Sequence, residues 1–559
     1  MLVHVLACGG DPLVSVDEGS TGSEDSGATE PDLDETGASP TDDDADDETD
    51  GESGEVMPCM PGEQAACYDG PDGTEDIGLC QAGQTTCTAD GTWGPCEGAV
   101  EPAAEDCATD ADEDCDGQTP ACARPSPWQV TVTGSGDDRS VVVPTADGGV
   151  DVVFTTDSTD FSPAPGVALA GDDVRIIVVH YAADGAYASA EELGRTIGTV
   201  PDVRAARSDD GTLVVAGTPV AEPIEIGDEE VLAGRPWVAQ YDADRAPSWV
   251  RSLPTAGSGV GAGCDSLLAP APHGLTLRAS DGAVAVSSVA QGSAELDELP
   301  FADDDPAGSG CNYFVTVFDA DGVPTTARTI GTTAVPLDLV NFTSTELRYA
   351  ADDGALLIAG NMSDGTWHTT EEVSNAMLLA SLSPEGEFTA IASVPLLNAL
   401  FSRVFDGPEG TVWWLRVGGD NSPVIELRDR DTGEIVAART VPGAYRDLDA
   451  DRQGRVTVRL SYAVPVDLGR GELVPQRGAQ NWAVATYERQ AAVLLPVGIR
   501  TWVLPDADAG WRSQLRRRDQ RVFARLAGPI ADADLGLGPA RGATPGQDDT
   551  LVVALPDDN

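Results

Sequence analysis

From Trp128 onward the chain alternates short apolar runs with turn residues. Val141-Val142-Val143, Leu213-Val214-Val215-Ala216 and Ala355-Leu356-Leu357-Ile358 each sit between Gly, Asp and Pro, the pattern of short β-strands closed by tight turns. Helical periodicity is confined to two stretches, residues 186–194 and 508–518, which we read as modest helix candidates.

The runs recur. An acidic or amide residue, a glycine and then a strand appear at Asp147-Gly148-Gly149-Val150, Asp210-Gly211-Thr212-Leu213, Asp281-Gly282-Ala283-Val284, Asp353-Gly354-Ala355-Leu356, Glu409-Gly410-Thr411-Val412 and Gln453-Gly454-Arg455-Val456. Arg518-Asp519-Gln520-Arg521-Val522 is a degenerate seventh copy. In most copies a second strand follows a loop of variable length and ends in another acidic turn, as at Asp184-Gly185, Asp242, Asp321-Gly322 and Glu385-Gly386. Asp-Gly supplies the positive φ that a tight hairpin needs. One such unit exposes an apolar face, so several must stack to bury it. Seven units across residues 124–559 average about 62 residues, long for a propeller repeat and accommodated by long mid-repeat loops. The expected fold is therefore all-β, a β-propeller of about seven blades. Two consecutive β-sandwiches are the alternative. The last repeat ends on Thr550-Leu551-Val552-Val553-Ala554-Leu555 with no following strand, whereas Trp128-Gln129-Val130-Thr131-Val132-Thr133 is a lone strand before the first repeat. We expect the latter to complete the last blade, because an open ring would leave strand edges and an apolar face exposed.

Composition changes sharply upstream of that region. Residues 9–123 carry 33 Asp and Glu and no Lys or Arg, while residues 124–559 hold all 32 basic residues, every one an arginine. The formal charge of −63 divides into −33 and −30 between these regions. Such a field repels phosphate backbones and anionic lipid, which argues against nucleic acid and direct membrane-surface binding and favours cations or basic partners. Residues 9–56 are almost devoid of apolar side chains and read as a disordered acidic tether.

Residues 57–123 form a third region, with eight of the eleven cysteines: Cys59, Cys67, Cys80, Cys87, Cys96, Cys107, Cys115 and Cys122. A stretch with so little apolar surface needs crosslinks to fold. No pair has C-x-x-C spacing and no histidine is present, which disfavours zinc. Eight cysteines make four bridges, Cys264 and Cys311 make a fifth, and Cys8 is left over. Val5-Leu6-Ala7-Cys8-Gly9 resembles the bacterial lipobox, which implies lipidation of Cys8. Only seven residues precede it, so residues 1–8 read as a truncated signal peptide. The expectation is a chain secreted or held at the outer membrane by a lipid anchor, in an oxidising compartment.

The pattern Cys67-Tyr68-x-Gly70-Pro71, Gly78-x-Cys80-x-x-Gly83-x-x-x-Cys87, Asp90-Gly91-x-Trp93-Gly94-x-Cys96, Glu105-x-Cys107 and Asp112-x-Asp114-Cys115-Asp116-Gly117 resembles a Cys-Asp module of exported, often lipidated proteins of gram-negative bacteria. Its last part resembles a family described as a metal-binding repeat. The pattern of residues 128–559 is similar to bacterial β-propeller repeats, a likeness that bears on fold rather than function.

Asp112-x-Asp114-x-Asp116-Gly117 is the one segment with metal-ligand spacing, and Asp110 is a further candidate. Alternate carboxylates can converge on Ca²⁺, but Ala123 stands where an EF-hand places its bidentate Glu, so only weak Ca²⁺ binding is expected. A solvated acidic turn is the plainer reading of the same residues. No other cofactor is expected. The four histidines, His4, His180, His273 and His368, lie far apart, and no nucleophile elbow, P-loop or dinucleotide fingerprint is present. We read His180 as a packed or rim residue rather than a base. The functional expectation is a non-enzymatic cell-envelope propeller that binds or displays an extracellular protein or glycan. Alternatives are a secreted polysaccharide hydrolase, which would gather carboxylates at one end of the channel, and a Ca²⁺- or other metal-binding surface protein.

Overall fold

The computed structural model describes residues 59–102 apart from 69 and 72, the positions 112, 115 and 117, and residues 126–556 apart from 135–138, 170, 199, 219–220, 254–273, 292–294, 297–298, 301–310, 334–345, 362–364, 371–372, 375, 396–400, 409, 418–421, 477–478, 505–511, 519–520, 529–536 and 538–548. Cys8, the tether 9–56, Cys107, Cys122, Cys264, Asp110, Asp114 and Asp116 lie outside the described residues, as does the side chain of Cys311. The chain divides into two compact units.

The smaller unit is built on crosslinks. Gln64–Cys67 pairs antiparallel with Gly83–Thr86, and disulfides join Cys59 to Cys87 and Cys67 to Cys96. These cysteines are 28 and 29 residues apart in sequence, so each closure contributes about 3–4 kcal/mol on the chain-entropy account. Cys80 of this unit, and Cys115 of the larger one, are disulfide-bonded as well. The expected cystine chemistry is thus present where the structure describes it.

The larger unit is all-β among the described residues. Its strand pairing gives seven four-stranded antiparallel sets, which we call sheets I to VII. Sheet I comprises Arg139–Pro144, Val150–Thr156, Val174–Tyr181 and Tyr187–Thr196. Sheet II comprises Val203–Arg207, Leu213–Gly217, Trp237–Tyr241 and Pro247–Ser252. Sheet III comprises Gly274–Leu277, Val284–Gln291, Cys311–Phe318 and Pro324–Thr333. Sheet IV comprises Glu346–Tyr349, Leu356–Asn361, Ala376–Leu382 and Phe388–Pro395. Sheet V comprises Phe401–Asp406, Thr411–Val417, Pro423–Asp429 and Ile435–Thr440. Sheet VI comprises Ala444–Ala450, Arg455–Tyr462, Gln480–Gln490 and Val493–Leu504, and a single parallel pair, Ala438 with Val493, joins it to sheet V.

Sheet VII is assembled from both ends of the unit. Arg512–Arg518, Arg521–Gly528 and Asp549–Pro556 are completed by Trp128–Val132, which pairs antiparallel from Trp128 opposite Ala554 to Val132 opposite Thr550. The lone strand identified in the sequence therefore does close the last sheet.

Each sheet buries both faces, which explains why its central strands are continuously apolar rather than alternating. In the second strand of sheet II, Leu213 and Val215 pack toward sheet I while Val214 and Ala216 pack toward sheet III. One such cluster fills each junction around the ring, including the junction of VII with I, where Trp128, Val132, Phe523 and Val552 meet Val142, Val152 and Phe154. The first strands touch in the same cyclic order. The alternative of two sandwiches would leave two of these junctions empty. Both helix candidates are corrected: residues 187–196 and 512–518 are strands. In 187–196 the helix-forming Ala and Glu side chains lie largely on the open face, where sheet position overrides propensity.

The long mid-repeat loops have a common use. In sheets I, II, IV and VI the loop joining the second and third strands laps back onto the outer strand of the preceding sheet. Hairpin Ile224–Ile226 with Glu229–Val231 extends sheet I, and hairpin Gly365–Trp367 with Val373–Ser374 extends sheet III. Ser162 pairs with Thr133 beside the closing strand, and Arg439 of sheet V donates to the Leu468 carbonyl at 3.0 Å. Exposed strand edges are thereby covered.

Candidate functional site

The first strands line the channel, and there alternate residues face inward. They bring Arg204 from sheet II, Glu346 and Arg348 from sheet IV, Arg403 from sheet V, Asp447 and Asp449 from sheet VI, and Arg516 from sheet VII into one electrostatic cluster. A cavity of about 340 Å³ opens among the first strands of sheets I, II, III, IV and VII, with Arg204, Arg348 and Arg516 in its wall.

The carboxylates of this cluster are committed. Glu346 is buried and pairs with Arg348 at 3.0 Å and Arg403 at 3.9 Å. Burial alone would raise its carboxyl, but Arg348, Arg403, Arg204 and Arg516 outweigh that and hold it below the usual glutamate value. Asp447 accepts the Leu515 N–H at 2.5 Å and lies 3.4 Å from Arg403. Asp449 accepts the Arg517 N–H at 2.6 Å, while burial pushes its carboxyl up against the opposing pull of Arg516 and Arg348. Both aspartates satisfy backbone donors on the inner edge of sheet VII, and Gln514 of that strand accepts the Val142 N–H at 2.7 Å. These clasps hold VI, VII and I together at the channel.

The arginines are less evenly matched. Burial works against the Arg403 charge, but Tyr445, Asp447, Glu346 and Asp449 overcome it and hold the guanidinium above the ordinary arginine value. Arg204 is open to channel solvent yet ringed by protein. Loss of bulk solvation pushes its guanidinium down, Glu346 opposes this, and Arg403 and Arg516 push the same way. Among the described residues Arg204 has no hydrogen-bond or ion-pair partner, and Arg516 donates to the Leu515 carbonyl at 2.7 Å.

A second cluster lies between sheets I and II. Asp151 is fully buried and accepts from His180 Nδ1 at 2.8 Å, Arg207 at 2.5 Å and Arg245 at 2.6 Å. The hydrogen bond to Asp151 raises the His180 pKa above its ordinary value, against partial burial and with help from the Asp151 and Asp147 charges. His180 is a packed clasp residue, and the guanidinium groups of Arg207 and Arg245 hold the same acceptor.

Of the metal candidates, Asp112 is described: it is buried, its carboxylate accepts the Gly117 N–H at 3.0 Å and its carbonyl accepts the Leu79 N–H at 2.9 Å. No group of three or more metal-ligating side chains occurs among the described residues. His368 hydrogen-bonds Thr332 at 3.2 Å. The channel arginines escaped sequence reading because each repeat contributes one or two. The available signal was a charged residue at alternate positions of successive first strands.

Neither a protein family nor a curated protein matches the sequence. Among solved structures, the chain is similar to one in the mitotic checkpoint complex, at 10% identity and a TM-score of 0.40, covering 78% of this chain and 96% of that one. It is also similar to puromycin hydrolase, at 15% identity and a TM-score of 0.37, covering 73% and 54%. A protein of unknown function from Dyadobacter fermentans is similar at 10% identity and a TM-score of 0.36, covering 77% and 98%. The propeller-like arrangement stands on strand pairing and sheet packing. No helix among the described residues is long and apolar enough to cross a membrane, and the disulfides point to an extracellular or secreted protein.

Proposed function

We propose that this chain is an exported, non-enzymatic seven-bladed β-propeller that binds or displays an extracellular protein or glycan, carried away from the cell surface on its acidic tether and cystine module and anchored through Cys8. The ring closed by Trp128–Val132 against Asp549–Pro556 carries this reading, because it leaves a rigid channel mouth and a rim of loops as the natural ligand surface. Commitment of Glu346, Asp447 and Asp449 to arginines and backbone N–H groups speaks for binding over hydrolysis, since an acid–base pair needs carboxyls free to exchange protons.

Weak Ca²⁺ binding at Asp110, Asp112, Asp114 and Asp116 is a second element of the proposal. It is favoured by the tight fold of Asp112 onto Gly117. The full-length gene, expressed in a gram-negative host, tests the main reading. We expect a chain accessible to protease on intact cells, labelled by a palmitate analogue through Cys8, and without turnover of a polysaccharide panel. A cytosolic chain with reduced thiols, or turnover lost on Glu346→Gln, contradicts it.

A further inference from the structure

In a chain with 95 acids and 32 arginines, an excess of cationic side chains inside one cavity is against composition and calls for a reason. Each acid near that cavity among the described residues is already used: Glu346 by Arg348, Asp209 by Arg518, and Asp447 and Asp449 by backbone N–H groups of sheet VII. Arg207 is turned to Asp151 and Arg517 to Asp451. What remains is Arg204, without a partner among the described residues, and Arg516, whose guanidinium donates to the Leu515 carbonyl. Arg403 and Arg516 work against the Arg204 charge, with Glu346 and Asp447 opposing them.

Like charges gathered in one cavity cost stability, and neither guanidinium has a carboxylate ion-pair partner among the described residues. A planar fork of donors matches a carboxylate, sulfate or phosphate group. The cavity of about 340 Å³ falls at the small end of ligand sites, which span ~300–1,000 Å³. We infer that the channel cavity is a binding site for a small oxyanion-bearing molecule, with Arg204 and Arg516 as its anchors. This rests on the reading of the channel mouth as a binding face. Size selection follows from the field: the acidic exterior repels a long polyanion, whereas a compact anion that reaches the cavity meets focused positive potential.

The experiment titrates the full chain with inorganic sulfate, inorganic phosphate and citrate at constant ionic strength, by calorimetry and by thermal shift. The three arms separate sulfate, phosphate and carboxylate chemistry. At least one should saturate, and Arg204→Gln with Arg516→Gln should weaken it at least tenfold, while Arg430→Gln, whose residue pairs with Asp352 at 2.8 Å outside the cavity, leaves it unchanged. Arg204→Gln alone guards against a folding defect, because it breaks no hydrogen bond or ion pair among the described residues: its melting temperature without anion should stay close to that of the parent, and the anion-induced shift should shrink. Saturation by none of the three, equal affinity in the double variant, or a melting temperature lowered by Arg204→Gln with its anion shift intact overturns the inference. Any of these results in a chain still exported and disulfide-bonded leaves the broader reading of the protein standing.

Discussion

Neighbouring sheets are locked by a side chain on the outer strand of one and a glycine in the outer turn of the next. Trp249 of sheet II lies over Gly322 of sheet III, packs against Phe318 at 5.6 Å between ring centroids and donates its indole N–H to the Ala320 carbonyl at 3.0 Å. Gly322 has φ +73°, and a Cβ there would stand 2.5 Å from the indole Cδ2. Gly322→Ala therefore meets two costs: about 1–2 kcal/mol for a left-handed alanine, and about 1–3 kcal/mol for displacing a packed indole. Trp249→Ala costs about 3–5 kcal/mol from lost burial and the cavity left behind. In the Trp249→Ala background the displacement cost disappears, so Gly322→Ala should then cost only the conformational part. The double variant should be more stable than the sum of the single effects by about 1–3 kcal/mol. Urea unfolding followed by intrinsic fluorescence reads each corner of the cycle. Additivity within about 0.5 kcal/mol, the behaviour of independent sites, would refute the lock. The same arrangement recurs at Gly185, with φ +84°, beneath Trp128, where a Cβ would stand 2.6 Å from the indole.

Three further outcomes are expected. His180 has a raised folded pKa, so its contribution is complete below about pH 6.5, the unfolded value, and is lost as pH rises through the folded value; thermal melts should show a decline across that window that His180→Gln flattens, with Asp147, Asp151 and Arg207 as the charges it faces. Non-reducing peptide mapping should pair Cys264 with Cys311, a closure contributing up to about 4 kcal/mol; either cysteine found free would remove that bridge. Calorimetry on the full chain should detect Ca²⁺ binding in the roughly 0.1–1 mM range of extracellular modules, abolished in Asp112→Asn with Asp114→Asn, and identical heats would assign those carboxylates to solvation.

What the sequence made legible was local chemistry with a fixed period. Gly148, Gly211, Gly282, Gly354, Gly410 and Gly454 all adopt positive φ, in the turns between first and second strands, because few other residues suit those turns. The closing strand was visible because an apolar segment without a partner stood at one end and a sheet lacking a strand at the other. The outer strand 187–196 was not legible, since its outward face is polar and its composition suits a helix equally well. The site was hidden for a different reason. Arg204 and Arg516 lie more than three hundred residues apart, and only ring closure sets them across one channel. No spacing rule reaches such a pair.

Ring closure is the claim on which the channel, its cavity and the arginine pair all depend, and strand removal tests it most directly. Deleting residues 126–134 takes away the five paired positions from Trp128 to Val132 and the aromatic contacts of Trp128 with Tyr181 and Phe523, at 6.4 and 6.3 Å, leaving the edge of Asp549–Pro556 bare. That variant should melt markedly lower than the parent or aggregate, whereas deleting 9–56 should leave the melting temperature unchanged. Equal melting of the two truncations, both monomeric, would contradict closure and with it the site.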